Sequence, residues 1–104
     1  MTNDAIRGSS DRGMLVLTSL AGGPKHGYAL IKDIEGFAGV TLGPGTLYGA
    51  LAKLERAGLV EALPAEERRH PYRITPEGLR FLRRRLSESE RVAKVGLARL
   101  AGAL

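Results

Sequence analysis

The sequence contains no cysteine and no tryptophan, and only two of its 104 residues are histidines. Without cysteine the chain forms neither a disulfide framework nor a thiolate nucleophile, and two imidazoles are too few to predict a metal site. No acid/base pair stands out, and His26 is more typical of a residue at the entrance of a helix than of a catalytic group. We therefore expect a protein without catalytic residues, metal or cofactor, which is not an enzyme.

Long apolar runs are missing as well. No stretch is long enough to span a membrane, and the N-terminal segment MTNDAIRGSSDRG lacks the apolar core of a secretory signal. The chain length suits one domain with a modest core, and an apolar fraction of 43% with 26% charged residues is typical of a folded globular protein. These features predict a cytoplasmic protein with no membrane partner.

Acidic residues are the scarcer charge. Sixteen Lys and Arg face 11 Asp and Glu, which gives a net charge of +5 and a pI near 10.1. Residues 59–104 carry 10 of the bases and 6 of the acids, so most of the excess is C-terminal. A basic protein of this kind binds a polyanion such as nucleic acid, or simply has an arginine-rich solvated surface.

Two short helices are predicted first. In SSDRGMLVLTSLAGG, Ser9 or Ser10 suits the N-cap, and the expected buried side consists of Met14, Leu15, Leu17 and Leu20. In KHGYALIKDIEGFAG, the expected apolar face consists of Tyr28, Leu30, Ile31 and Ile34. Gly36 and Gly39 are expected to end this second helix.

A third helix begins inside the stretch GPGTLYGAL. Pro44 suits the first helical position and Gly43 the N-cap, while Gly58 suits the left-handed position after the helix. Leu47, Leu51 and Leu54 form one apolar stripe.

The periodicity then changes to that of a β-hairpin. LVEAL and YRI are expected to be strands on either side of the polar loop PAEERRHP, and TPEG restarts a helix with Thr75 as N-cap. Three helices, a hairpin and a helix make an α+β, mostly α fold, the winged helix-turn-helix.

The outer side of the third helix is unusually slim. At 100° per residue, the side opposite the leucines carries Gly45, Gly49, Ala52 and Arg56, with Thr46 and Lys53 on one shoulder and Tyr48 on the other. Such a face suits a helix in a DNA major groove. Alternatively, the glycines ease packing against the second helix and Tyr48 is a core residue. A phosphate-cradling nucleotide site is disfavoured, because neither G-x-G-x-x-G nor a G-K-[ST] ending is present.

The hairpin supplies cations that suit a DNA backbone or a narrow minor groove. Arg68, Arg69 and His70 lie at or near its tip, with Arg73 behind them. Glu66 and Glu67 weaken this field, so a solvated loop of mixed charge is the alternative.

Three motifs, GGPKHGYAL, PGTLYGALAKLERAGLV and YRITPEG, occur in this order, and residues 10–80 resemble the PadR family of bacterial transcriptional regulators. The resemblance implies a homodimeric winged-helix DNA binder, usually a repressor that a small aromatic or drug-like ligand releases. Its motifs fall on His26, Gly27 and Tyr28, on Pro44 to Tyr48, and on Arg68 and Arg69. The sequence departs from the family in having Gly43 before PGTLY and a shorter, less basic wing, and its single C-terminal helix resembles the short subgroup.

The predicted DNA-binding residues combine the motif positions with the exposed cations. They are His26, Tyr28, Lys32, Gly45, Thr46, Tyr48, Gly49, Lys53, Arg56, Arg68, Arg69 and Arg73.

The segment from Gly78 to Leu104 is predicted to be one helix of about 40 Å, at ~1.5 Å per residue. Its apolar seam consists of Leu79, Leu82, Leu86, Ala93, Leu97, Leu100 and Leu104. The seam is too long for its own small domain to bury, so it predicts a homodimer. We accordingly expect a winged-helix DNA-binding domain over residues 1–77 and a dimerisation helix over residues 78–104.

The sequence as a whole predicts a dimeric, sequence-specific regulator that binds a double-stranded DNA operator. We expect a repressor released by a small-molecule effector, with a small hydrophobic or aromatic effector held at the dimer interface where Ser89 and Gly96 interrupt the seam. The alternative is a winged-helix protein-interaction module that dimerises without operator recognition. Membrane-surface binding through the arginine-rich last helix is disfavoured, because its apolar stripe suits a subunit interface better.

Overall fold

Four helices and one β-hairpin make up residues 9–103, the part of the chain that the computed structural model describes. The elements in chain order are α1 (Ser9–Ala21), α2 (Gly27–Ala38), α3 (Pro44–Arg56), β1 (Val60–Ala62), β2 (Tyr72–Ile74) and α4 (Pro76–Ala103). This order confirms the predicted winged helix. The strands are antiparallel, with Val60 opposite Ile74 and Glu61 opposite Arg73.

The core lies where the first three helices meet the hairpin and the start of α4. Its buried apolar side chains are Val16, Leu17, Leu20, Leu30, Ile34, Leu42, Leu47, Leu51, Leu54, Val60, Ile74 and Leu82. Each fully buried leucine or isoleucine contributes about 1.5–3 kcal/mol, so three leucines on α3 hold this helix firmly. In α1 the buried side is shifted from the prediction: Met14 and Leu15 are only partly buried, and Val16 is fully buried.

Tyr28 corrects the prediction for α2. Its side chain is 68% exposed, whereas Leu30 and Ile34 are buried together with Gly27. Six residues separate Tyr28 from Ile34, which places the two side chains about 120° apart around the helix. Gly36 lies inside α2, and the helix ends at Gly39, whose φ of 68° is left-handed.

The predicted helix ends around α3 and α4 are confirmed. Gly43 is the N-cap of α3 and Pro44 its first residue, and Gly58 follows the helix with a φ of 79°. At the start of α4, the Gly78 N–H donates to Thr75 Oγ1 at 3.0 Å, and the Thr75 hydroxyl donates to the Gly58 carbonyl at 2.7 Å. Thr75 therefore links the end of α3 to the start of α4.

Gly78 is required by close packing. A Cβ at this position would overlap the Leu59 carbonyl oxygen and lie 2.7 Å from Ile74 Cγ1. Only glycine therefore lets α4 begin directly against the base of the hairpin.

Lys25, in the loop between α1 and α2, contacts both helices and the hairpin. Its Nζ donates to the Ser19 carbonyl on α1 and lies 4.0 Å from Asp33 Oδ2 on α2, and Asp33 also accepts a 2.6 Å hydrogen bond from the buried Ser19 hydroxyl. The backbones of Lys25 and Tyr72 exchange two hydrogen bonds, of 3.1 and 2.8 Å. The segment just before α2 therefore pairs with β2 through a single antiparallel bridge, like a very short third strand.

The tip of the hairpin is a tight turn. Glu66 and Arg69 exchange two backbone hydrogen bonds, and the residues between them, Glu67 and Arg68, have φ values of 48° and 71°. Positive φ at both central residues is the requirement of a type I′ turn, which non-glycine residues adopt at some cost. This turn presents Arg68 and Arg69 at the end of the wing.

Beyond its first turns, α4 leaves the body of the protein. Every residue from Leu86 to Ala103 is exposed, and the described part of the chain measures 55 × 26 × 26 Å. Leu82 was predicted to belong to the seam, and here the structure corrects the prediction. Its side chain packs in the core and is only 5% exposed, so little of its surface is available to a partner subunit. Leu104 lies outside the described residues. Within residues 9–103, no helix is long and apolar enough to cross a membrane.

Candidate nucleic-acid interface

The outer side of α3 carries two exposed glycines with open space beside them among the described residues. Leu47, Leu51 and Leu54 point into the core, whereas Gly45 and Gly49 are exposed. A Cβ at either glycine would meet no atom of the described residues within 4 Å. The alternative that these glycines ease packing against α2 is therefore wrong, and the slim face is open to an external partner. Thr46, Lys53 and Arg56 are exposed around it.

Tyr48 is fixed by a glycine on the neighbouring helix. A Cβ at Gly27 would overlap the Tyr48 hydroxyl and lie 2.9 Å from its Cζ, so the ring lies directly against the α2 backbone. The Tyr48 side chain is nevertheless 49% exposed, which excludes the alternative of a core residue. Gly27 therefore determines the position of the Tyr48 side chain at the edge of the slim face of α3.

A pocket of about 360 Å³ lies between the wing and the starts of α2 and α3. It is lined by His26, Gly27, Tyr28, Tyr48, Arg68, Arg69, His70 and Tyr72. Five of the predicted DNA-binding residues are thus brought together here. The lining side chains offer guanidinium, imidazole and hydroxyl groups and no carboxylate, so the pocket suits an anion.

His26 connects α2 with the wing. It occupies the N-cap position of α2 without a side-chain cap, and its Nε2 lies 3.1 Å from Arg69 Nη1. A guanidinium only donates, so a hydrogen bond between these two groups uses His26 Nε2 as the acceptor. The backbone pairing of Lys25 with Tyr72 brings His26 and Arg69 together, because His26 directly follows Lys25 and therefore lies beside the wing.

Tyr72 lines the same pocket. Burial raises the pKa of the Tyr72 phenol, and the negative charge of Glu55 and the neighbouring Tyr48 raise it further. The phenol is therefore protonated at neutral pH and remains a hydrogen-bond donor.

Of the predicted cations outside this pocket, two are paired with carboxylates of the fold. Arg73 Nε donates to Glu61 Oε2 at 2.8 Å across the hairpin, and Lys32 Nζ lies 3.5 Å from Glu35 Oε1 on α2. Glu35 also accepts a hydrogen bond from Thr41, which together with Lys32 lowers the pKa of its carboxyl group. The structure uses these two cations within the fold.

A second cleft, of about 210 Å³, runs between α1 and α3. It is lined by Arg12, Gly13, Gly45, Thr46, Gly49, Ala50, Lys53 and Leu54. Arg12 is exposed and was not among the residues predicted from sequence. No local pattern indicates it, because only the packing of α1 on α3 brings Arg12 beside residues more than 30 positions away.

A comparison with protein families agrees with this arrangement. The model of the transcriptional regulator PadR-like family matches residues 16–84, which include α2, α3, the wing and the start of α4. The chain belongs to this family. Members of the PadR-like family are regulators of transcription rather than enzymes, and membership supports a DNA-binding regulator.

Relatives of this PadR-like chain include solved structures and a longer protein. A transcriptional regulator from Clostridium thermocellum is 34% identical with a TM-score of 0.74, covering 91% of this chain and 93% of that one. A PadR family transcription regulator from Clostridium difficile is 27% identical with a TM-score of 0.74, covering 81% and 92%. An uncharacterized 37.1 kDa protein in transposon TN4556 of Streptomyces fradiae is 46% identical over 85 residues, 82% of this chain. The match spans only 25% of that relative.

The effect of the Gly27–Tyr48 contact on the stability of this PadR-like chain can be tested by mutation. Gly27→Ala should lower the free energy of unfolding by about 1–3 kcal/mol, because the added methyl overlaps the Tyr48 hydroxyl. In a Tyr48→Ala background the same change should cost much less, since the overlapping ring is gone. Denaturant unfolding of the four proteins at one concentration measures this coupling.

Gly36→Ala is the matched control, because a Cβ there meets no described atom within 4 Å. It should raise the stability by about 0.5–1 kcal/mol, as expected for glycine in a helix. An equal cost of Gly27→Ala with and without Tyr48 would contradict the contact.

Proposed function

We propose that this PadR-like protein is a dimeric, sequence-specific DNA-binding repressor that acts in the cytoplasm and is released by a small-molecule effector. The observation that carries the proposal is the open outer face of α3. Gly49, inside the helix, costs about 1 kcal/mol relative to alanine, and nothing in the described fold requires either Gly45 or Gly49. They are explained if a large external surface approaches the helix backbone.

A DNA major groove is the surface that fits this face. The groove admits an α-helix, and the side chains at the edges of the slim face, Thr46, Lys53 and Arg56, offer a hydroxyl and two cations to bases and phosphates. The pocket of about 360 Å³ between the wing and the starts of α2 and α3, called the wing pocket below, then lies beside the duplex. There Arg68 and Arg69 reach the phosphate backbone or the minor groove.

Dimerisation is supported by the exposed part of α4. Leu86, Leu97 and Leu100 are 45%, 68% and 62% exposed on one side of this helix, and no other element of residues 9–103 covers them. Most helical stability in proteins comes from packing of an apolar face, so a second copy that covers the seam would stabilise both helices. A twofold dimer would also present two α3 helices to successive turns of the duplex.

The effector part of the proposal concerns an open cleft of about 490 Å³ between the end of α1 and α4. Leu79, Leu82 and Leu86 give it an apolar wall, and Arg83 and Glu90 stand at its side. The seam continues from this cleft towards Ser89 and Gly96, whose small side chains leave room between two helices. A small hydrophobic or aromatic effector bound there would change the angle between the subunits, and with it the spacing of the two α3 helices.

Tyr48→Ala and Arg56→Ala should each weaken operator binding by about 1–3 kcal/mol while the dimer stays intact, since both side chains border the groove face. Binding is measured on DNA from upstream of the protein's own gene and on scrambled DNA of equal length, over a series of salt concentrations. Arg80→Ala, an exposed arginine on α4, is the control and should bind as the wild type does.

A wild-type complex that survives higher salt on the upstream DNA than on scrambled DNA establishes base readout. Unchanged affinity in both the Tyr48 and Arg56 variants would rule out the groove face. The absence of any DNA binding by the wild type would favour the protein-interaction module instead.

Leu86→Glu combined with Leu97→Glu should produce monomers that also fail to bind the operator, because the seam places like charges against each other. Sedimentation velocity measures the oligomeric state. Val92→Glu combined with Val95→Glu adds the same charge on another side of α4 and should leave a dimer. If the Leu86/Leu97 variant remained dimeric, the seam would be wrong.

The effector is tested by measuring operator affinity at saturating concentrations of small hydrophobic and aromatic compounds. A compound that binds in the cleft should lower the affinity of the wild type, and Leu86→Ala should reduce its effect. If no compound in a broad panel changed the affinity, effector release would be contradicted.

A further inference from the structure

The cleft between α1 and α3 contains two cations, and only one of them was predicted to contact DNA. We propose that Arg12 and Lys53 form a second phosphate-binding site, on the side of α3 that faces away from the wing, and that its ligand is a backbone phosphate of the bound duplex. This inference rests on the proposed DNA-binding function and adds a residue of α1 to it.

Close packing of α1 on α3 positions Arg12. A Cβ at Gly13 would lie 3.6 Å from Leu54 Cδ2, an ordinary contact distance, so α1 meets the inner side of α3 at the residue next to Arg12. Arg12 itself is exposed and borders two adjoining clefts, both of which include Thr46. The guanidinium therefore belongs to the rim of the α3 outer face.

The chemistry of the lining selects an anion. Arg12 and Lys53 are the two ionisable residues among the eight that line the cleft, and Thr46 adds a hydroxyl. An arginine beside a lysine and a hydroxyl matches a phosphate oxygen, which accepts charge-assisted hydrogen bonds from the two cations and a further hydrogen bond from the hydroxyl.

The position of the cleft identifies a duplex as the source of that phosphate. Gly45 and Gly49 line the cleft and also form the slim face, so any duplex seated on α3 covers the cleft as well. The cleft is open to solvent along this side, which is where a groove edge would lie.

The two anion sites lie on opposite shoulders of the same helix. Tyr48 borders the wing pocket and Thr46 borders the Arg12 cleft, and two positions of this spacing differ by about 200° around a helix. A helix with its side chains is about 10–12 Å wide, close to the ~12 Å width of the major groove. Each shoulder therefore faces one of the two backbones that border the groove: the wing pocket holds one strand and the Arg12 cleft the other.

The test compares Arg12→Gln and Lys53→Gln with Arg91→Gln, which removes the same charge at an exposed position on α4. For the first two variants, affinity should fall by a similar factor on operator and scrambled DNA. The slope of log affinity against log salt should shrink by about 0.9 for each phosphate that is no longer neutralised, hence by about 1.8 for a dimer. Arg91→Gln should change neither quantity, and thermal unfolding should show that all three variants are folded.

A scan with single methylphosphonate substitutions assigns the phosphate to a strand. Within each half-site, neutralising the phosphates that matter for the wild type should no longer affect Arg12→Gln on one strand, while those on the other strand keep their effect. The affected strand should alternate between the two half-sites, because the dyad of the dimer exchanges the strands. An Arg12→Gln protein with wild-type slope and an unchanged scan would overturn the inference, even though wild-type operator binding would leave the proposed function standing.

Two further outcomes separate the inference from the function on which it rests. If inorganic phosphate bound at Arg12 while DNA affinity was unchanged in Arg12→Gln, the site would be one for a small free anion, and the inference would be wrong. Failure of the wild type to bind DNA would instead contradict the proposed function itself, and the inference with it.

Discussion

The two backbone hydrogen bonds between Lys25 and Tyr72 join the halves of this protein that would act together on a ligand. On one side of them lies the helix pair α2 and α3, and on the other lies the wing. Backbone pairing of this kind uses neither side chain and fixes the distance between the two segments. His26 consequently meets Arg69, Tyr72 lies beside Tyr48, and an anion pocket exists that neither half would form alone.

Local signals account for most of what the sequence predicted correctly. Pro44, Gly58 and Thr75 mark helix ends through their own backbone and side-chain chemistry, and the stripe of leucines on α3 determines which face is outward. Tyr28 and Leu82 were misplaced for a common reason. Each lies in the first two turns of a helix, where contacts with neighbouring elements decide which side chains the core buries. Arg12 could not be found at all, since its significance depends on packing between segments far apart in the chain.

The number of basic residues in the sequence overstates the positive charge that the surface offers to a ligand. Arg73 and Lys32 form ion pairs with Glu61 and Glu35 within single structural units, whereas the cations that line the two anion sites come from α1, α3 and the wing tip. Exposed ion pairs contribute at most about 1 kcal/mol to stability, so these pairings chiefly neutralise charge where none is needed. Near α3 the cations are concentrated at the two anion sites and at Arg56, whereas the largest excess of positive charge, seven bases against three acids, lies on α4.

The open space above Gly45 and Gly49 has a consequence for how such a protein can change. Most positions in a small domain are constrained by their neighbours, and a new side chain there disturbs packing. At these two positions a Cβ would meet no other element of the described residues within 4 Å, so a small side chain would chiefly contact whatever is seated on α3. Mutation could therefore alter the ligand preference of the helix without endangering the fold, so that recognition is free to diverge between descendants of one stable scaffold.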